Sequence, residues 1–134
     1  MESLIDTSVL VDYILLDSEF HQRAETGIKK IERGFLPSVV VEELAYVLDR
    51  LKLSKEMVNE KIEEVLDTYG VIGITSANLQ TACKMVMKEN SISFKRFNDK
   101  LILAVAKERS MQLFTFDRDL IKECEANGVR IFQE

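Results

Sequence analysis

Several common chemistries depend on residues that this 134-residue sequence barely contains. There are two cysteines, Cys83 and Cys124, both in helix-like stretches, with no Cys-x-x-Cys pair and no His/Cys cluster. That pattern points to reduced thiols and a cytosolic location. His21 is the only histidine and sits in a polar stretch far along the chain from the acidic motifs, so nucleophilic catalysis by histidine and zinc chemistry find no support. Basic residues are outnumbered, 18 Lys plus Arg against 23 Asp plus Glu, for a net charge of -5 and a pI near 5.0. This balance argues against sequence-independent coating of nucleic acid, although a nucleic-acid enzyme that draws local positive charge from a bound metal remains compatible with it. No apolar run approaches the roughly 18 residues of a membrane span, and Met-Glu-Ser offers no basic leader, so neither a span nor a signal peptide is expected. Tight hairpin signals, internal repeats, low-complexity tracts and linkers are also absent.

What is present is a 46% hydrophobic chain, enough for one domain over residues 1–134 that buries roughly two-thirds of its unfolded surface. Apolar runs and helical periodicities alternate along it. Strands are expected at residues 2–6, at Phe35-Leu36, at 71–74, at 111–116 and at 129–132. Between them the spacing predicts helices over 8–16, capped by Ser8, and over 19–31. A helix from Ser38 as cap through Leu51 follows, then one capped by Ser54 and running through Tyr69. Further helices are expected from Thr75 or Ser76 to about Glu89, over 101–107 behind Asn98 and Asp99, and over 117–127 before Gly128. Residues 91–97 read as irregular. Short strands separated by helices predict a three-layer α/β/α sandwich around a mainly parallel, roughly five-stranded sheet.

Acidic residues fall at the margins of these elements. Asp6 ends the first apolar run and should project from the strand's carboxyl end, where open α/β sheets bind ligands. Glu43 lies roughly 80 to 90 degrees from the centre of its helix's apolar stripe, whereas Glu42 lies nearly opposite, so Glu43 borders the core and Glu42 faces water. Asp99 shares a face with Ile102, Leu103 and Ala106 at the expected start of a buried helix, and Asp117 and Asp119 follow a strand. Each acid alone has an ordinary account as a cap, turn or helix-start residue. The set of four, Asp6, Glu43, Asp99 and Asp117, exceeds what capping requires. Gathered without Lys or Arg partners they would repel one another and call for a cation; all-oxygen ligation suits Mg²⁺ or Mn²⁺, and the matching chemistry is phosphodiester hydrolysis.

In order along the chain, Leu4-Ile5-Asp6-Thr7-Ser8, Pro37-Ser38 with Glu43-Leu44, Asn98-Asp99 leading into Leu101-Ile102-Leu103-Ala104-Val105-Ala106, and Thr115-Phe116-Asp117-Arg118-Asp119-Leu120 resemble the motifs of PIN-domain proteins, most closely VapC-type toxin ribonucleases. The likeness spans essentially the whole sequence. It implies a Mg²⁺- or Mn²⁺-dependent ribonuclease that leaves a 5′-phosphate, with Asp6, Glu43, Asp99 and Asp117 as catalytic and metal-binding acids. It makes Asp119 an auxiliary acid and Thr115 and Ser8 supporting hydroxyls, and leaves open which of Asp117 and Asp119 meets metal directly. It further implies a homodimer, an RNA substrate and inhibition by a small antitoxin protein.

The basic residues near the motifs, Lys95, Arg96, Lys100 and Arg118, suit a solvated surface or contact with RNA backbone equally well. Phe94 and Phe97 flank Lys95-Arg96, as core anchors or as rings that stack an unpaired base. Two rival readings compete with the nuclease: a receiver-like phosphoacceptor domain, which wants paired acids after the first strand and a late lysine, and a catalytically silent PIN-like scaffold that only binds a partner.

Overall fold

Leu4 and Ile5 are fully buried, because their strand, β1 (Glu2–Ile5), is covered on both faces and flanked on both edges. A computed structural model describes residues 2–134. The elements follow as α1 (Thr7–Ile14), α2 (His21–Lys30), β2 (Arg33–Pro37), α3 (Ser38–Arg50), α4 (Lys55–Thr68), β3 (Gly70–Ile72), α5 (Ser76–Val86), α6 (Phe94–Arg109), β4 (Gln112–Phe114) and α7 (Arg118–Asn127). The four strands form one parallel sheet in the order β3-β2-β1-β4, flanked by helices as a three-layer α/β/α sandwich. After β1 the chain winds outward through β2 to β3, then crosses back to lay β4 on the other side of β1. Strand order thus reverses between β1 and β4, and at such a switch point the loops leaving neighbouring strands diverge and open a crevice.

The sheet has four strands, not the roughly five expected. Ile131 makes only an isolated parallel bridge to Leu113, and the nearby Phe132 ring packs on Phe114 at 4.9 Å. The largest departure is α6. Its helix starts at Phe94, where the Ser93 hydroxyl accepts the Arg96 N–H at 3.1 Å, so residues 94–97 of the stretch read as irregular form a regular first turn and Asp99 lies in the second. Every residue from Asn98 to Ala106 is buried, as expected of a helix apolar on most sides. Two expected caps act elsewhere: Asp6 occupies the cap position of α1 in place of Ser8, and Ser38 lies inside α3, its hydroxyl accepting the Ile74 N–H at 3.2 Å. Ser54 and Thr75 do cap α4 and α5, and Gly128 closes α7 with φ 71°.

One glycine fixes how α2 meets the sheet end that carries the acids. A Cβ on Gly27 would overlap the Phe114 ring, and the Phe114 carbonyl accepts the Asp6 N–H at 2.9 Å. Gly27→Ala is therefore expected to destabilise the fold by about 1–3 kcal/mol through overpacking, outweighing the gain of roughly 1 kcal/mol in helix propensity. Urea denaturation checks this; a variant as stable as the parent would show that α2 sits free of Phe114.

Candidate active site

Asp6 leaves the carboxyl end of β1 with extended backbone angles and is only 5% exposed. It stands at the cap position of α1 without using its side chain as a cap. Its Oδ2 instead accepts hydrogen bonds from Ser8 Oγ and Thr115 Oγ1, each at 2.8 Å. Thr115 directly follows β4 and its Oγ1 also accepts the Asp117 N–H at 3.0 Å, while Ser8 Oγ accepts the Phe116 N–H at 3.1 Å. Both hydroxyl protons are committed to Asp6, so the 3.3 Å approach of Ser8 to Thr115 adds no further bond. The ends of β1 and β4 are thereby locked together around one carboxylate.

Asp117 caps α7, its Oδ1 accepting the N–H groups of Asp119 at 2.9 Å and Leu120 at 3.3 Å. Its Oδ2 lies 2.7 Å from Lys95 Nζ, and the same ammonium lies 3.3 Å from both oxygens of Asp99, one turn further along α6. Burial alone would raise the Asp117 pKa, but Lys95 and the two backbone N–H donors outweigh it and hold the carboxyl below its ordinary value. Asp99 is 4% exposed and lacks backbone donors of that kind. Burial pushes its pKa up to about 7, with Asp6 and Asp117 adding repulsion that Lys95 offsets only in part. Glu43 is raised by burial and then by Asp6, against a 3.0 Å hydrogen bond from Thr7 Oγ1. Opposed by its own partial burial, Lys95 is nonetheless raised by Asp117 and Asp99.

Asp6, Glu43, Asp99 and Asp117 thus meet in one electrostatic neighbourhood assembled from β1, α3, α6 and the β4–α7 junction. Ser8 and Thr115 stand beside Asp6. Asp119 points into solvent in the first turn of α7 and touches the site only through its backbone N–H. Glu42 is exposed and Glu43 half-buried, the phase expected of α3. The expectation of acids without a basic partner fails at Lys95, which bridges two of them. Sequence reasoning named Lys95 as a surface or RNA-contacting residue and missed its pairing with the acids, because its i,i+4 relation to Asp99 shows only once α6 is known to begin at Phe94. Arg96 and Lys100 turn away to Glu89, and the buried Lys100 also pairs with Glu123, so neither faces the crevice.

An all-oxygen donor set with four acids against one ammonium fits Mg²⁺ or Mn²⁺ in chemistry and charge. In this arrangement, among the described residues, no three acidic, His or Cys side chains close on a single ion position, and Lys95 holds the carboxylates that would do so. A cation and the Lys95 ammonium would compete for the Asp99 and Asp117 carboxylates. The Lys95 side chain is mostly exposed and springs from the first turn of α6.

The Asp99 shift sets a pH dependence. Between its ordinary 3.8 and about 7, folded Asp99 keeps a proton that the unfolded chain has released, so its contribution to stability declines as pH rises through that window. Asp99→Asn removes the decline. In chelator, the variant's Tm relative to the parent should be higher at about pH 8 than at about pH 5; an equal difference at both would show that Asp99 is not held protonated.

With this geometry in view, the relatives can be compared. The solved structure of Mycobacterium tuberculosis VapC20, described as a sarcin-ricin loop cleaving toxin, superposes with a TM-score of 0.79 at 18% identity, covering 90% of this chain and 94% of that one. FitAcB from Neisseria gonorrhoeae gives 0.74 at 20% identity over 98% and 96%, and VapBC2 from Rickettsia felis, bound to a promoter DNA fragment, 0.68 at 19% over 98% and 97%. At these identities the likeness is one of fold. No curated protein sequence matches. The family model of the PIN domain matches residues 3–125, and the chain belongs to the PIN-domain family.

Proposed function

We propose that residues 1–134 form one PIN-like domain that acts as a divalent-metal-dependent endoribonuclease, the toxin of a type II toxin-antitoxin pair. The observation that carries this reading is the excess of carboxylates at the β1/β4 switch point, where two hydroxyls fix Asp6 and burial pushes the Asp99 pKa up to about 7. The likeness of fold to VapC20, described as a toxin, supports the toxin assignment, and a small antitoxin as partner belongs to the same reading. A homodimer in the cytosol belongs to the same reading; among the described residues no helix is long and apolar enough to cross a membrane.

Asp6, Asp99 and Asp117, with Glu43 beside them, would hold Mg²⁺ or Mn²⁺. Such an ion lowers the pKa of the attacking water and offsets charge developing on the phosphate. Ser8 and Thr115 keep the Asp6 carboxylate oriented. Thr7 donates to Oε1 of Glu43, and burial and then Asp6 raise the carboxyl's pKa above its ordinary value, which favours a role in proton transfer. Once clear of Asp99 and Asp117, Lys95 Nζ can pair with the substrate phosphate instead. The receiver-like alternative lacks paired acids after β1, and the lysine found here comes from α6. A silent scaffold remains the outcome if cleavage is absent.

Incubation of labelled single-stranded RNA with Mg²⁺ or Mn²⁺ should give 5′-phosphate products, and excess chelator should abolish them. Glu43→Gln should lower the rate by about 10²–10³-fold while Glu42→Gln leaves it nearly unchanged. Full cleavage in chelator, or equal losses from both variants, would overturn the assignment. Lys95→Ala separates the roles of the ammonium. Without it the metal-free protein should melt at lower temperature, since Asp99 and Asp117 lose their counter-charge, and Mn²⁺ should bind more tightly by calorimetry; weaker binding would mean that Lys95 helps build the ion site.

A further inference from the structure

Beside the acids lies a groove of about 660 Å³ whose two walls come from α3 and from the first turns of α6. The α3 wall carries Glu43, Tyr46 and Arg50 at successive turns, and the α6 wall carries Phe94, Lys95 and Asn98. Glu43 and Lys95 also belong to the acid cluster, so the groove opens directly into the place where a scissile phosphate would sit. Its surface is mostly apolar, yet Tyr46 and Phe94 stand 63% and 80% exposed. Leaving two large rings in water at the mouth of a polar site is costly unless something covers them.

We propose that this groove is a nucleobase subsite, in which an unpaired base flanking the cleaved phosphodiester stacks on Tyr46 and Phe94. The proposal rests on the nuclease reading and names a feature of its substrate: single-stranded RNA at the cut. Every base presents a flat π-face to such rings, and exposed aromatics interleaved with cations are the usual means of holding unpaired bases. The Arg50 guanidinium lies 5.6 Å from the Tyr46 ring centre, which steadies the ring and places a planar cation on the rim. Lys95 supplies a backbone contact beside the acids. The buried Asn98 side chain brings amide donors and an acceptor to the α6 wall, suited to a base edge. Glu42 on the rim repels phosphate, which favours entry of a base over entry of backbone.

The test pairs a change in the protein with a change in the RNA. Wild type and the Tyr46→Leu/Phe94→Leu double variant are given a short single-stranded oligoribonucleotide and a series lacking one base at a time. In wild type, loss of one base next to the cut should lower kcat/KM roughly tenfold. The double variant should cleave intact and abasic RNA equally, at about the rate of wild type on the abasic strand. A base penalty that survives in the double variant, or the absence of any penalty in wild type, would overturn the subsite. Stacking is read separately by quenching of 2-aminopurine placed at that position, in Ca²⁺, and should be lost in the double variant. Quenching without cleavage in Mg²⁺ or Mn²⁺ would leave the subsite standing and defeat the nuclease; absence of both would defeat both. If the substitutions turn a dimer into a monomer in sedimentation and the base penalty persists, the rings belong to a subunit interface.

Discussion

A carboxylate removed from water has to be solvated by donors or neutralised by a counter-charge, and the site at the β1/β4 crevice is organised by how that requirement is met at each acid. Asp6 receives two hydroxyl protons from residues on two different elements. Asp117 receives two backbone N–H groups at a helix N-terminus together with an ammonium. Asp99 has the ammonium alone, at longer range, and is the acid driven furthest toward protonation. Burial drives Asp99 up while Lys95 and the backbone donors hold Asp117 down, so the crevice combines an ionised acid with one poised near neutrality. Such a division is useful to a site that must both hold charge and exchange protons.

The sheet order makes this possible. Placing β4 beside β1 brings Thr115 within a hydrogen bond of Asp6 although 109 residues separate them. The buried middle of α6 then presents Asp99 from the helical layer, while its exposed first turn presents Lys95 and Phe94. One helix therefore contributes an acid, its counter-ion and a groove wall, according to how deep each turn lies. The Lys100 ion pairs with Glu89 and Glu123 secure the outer side of the same helix.

Local pattern made much of this legible. The abrupt end of an apolar run placed Asp6 at a strand's carboxyl end, helical phase separated Glu43 from Glu42, and Asp117 emerged at a strand-to-helix junction. Each reading used residues within a few positions of one another, where backbone periodicity fixes direction. The start of α6 escaped because Asn98-Asp99 resembles a helix opening, while the working cap is Ser93, an exposed serine among other polar residues. The fifth strand failed for another reason: an apolar run ending the chain forms a ladder only if a neighbour has groups left to pair, and Ile131 makes a single bridge.

The sequence alone determined most of the element types, the buried stripes and the places of Asp6 and Asp117 at element margins, because those follow from side-chain spacing along a helix or strand. Tertiary structure alone decided that Lys95 bridges Asp99 and Asp117, that Ser8 and Thr115 donate to the same oxygen of Asp6, and that Tyr46 and Phe94 line one groove. These relations join residues on different elements, and their distances depend on strand order and helix docking. Charge compensation in the crevice is therefore a property of the assembled fold, set by which side chains the switch point brings within hydrogen-bonding reach.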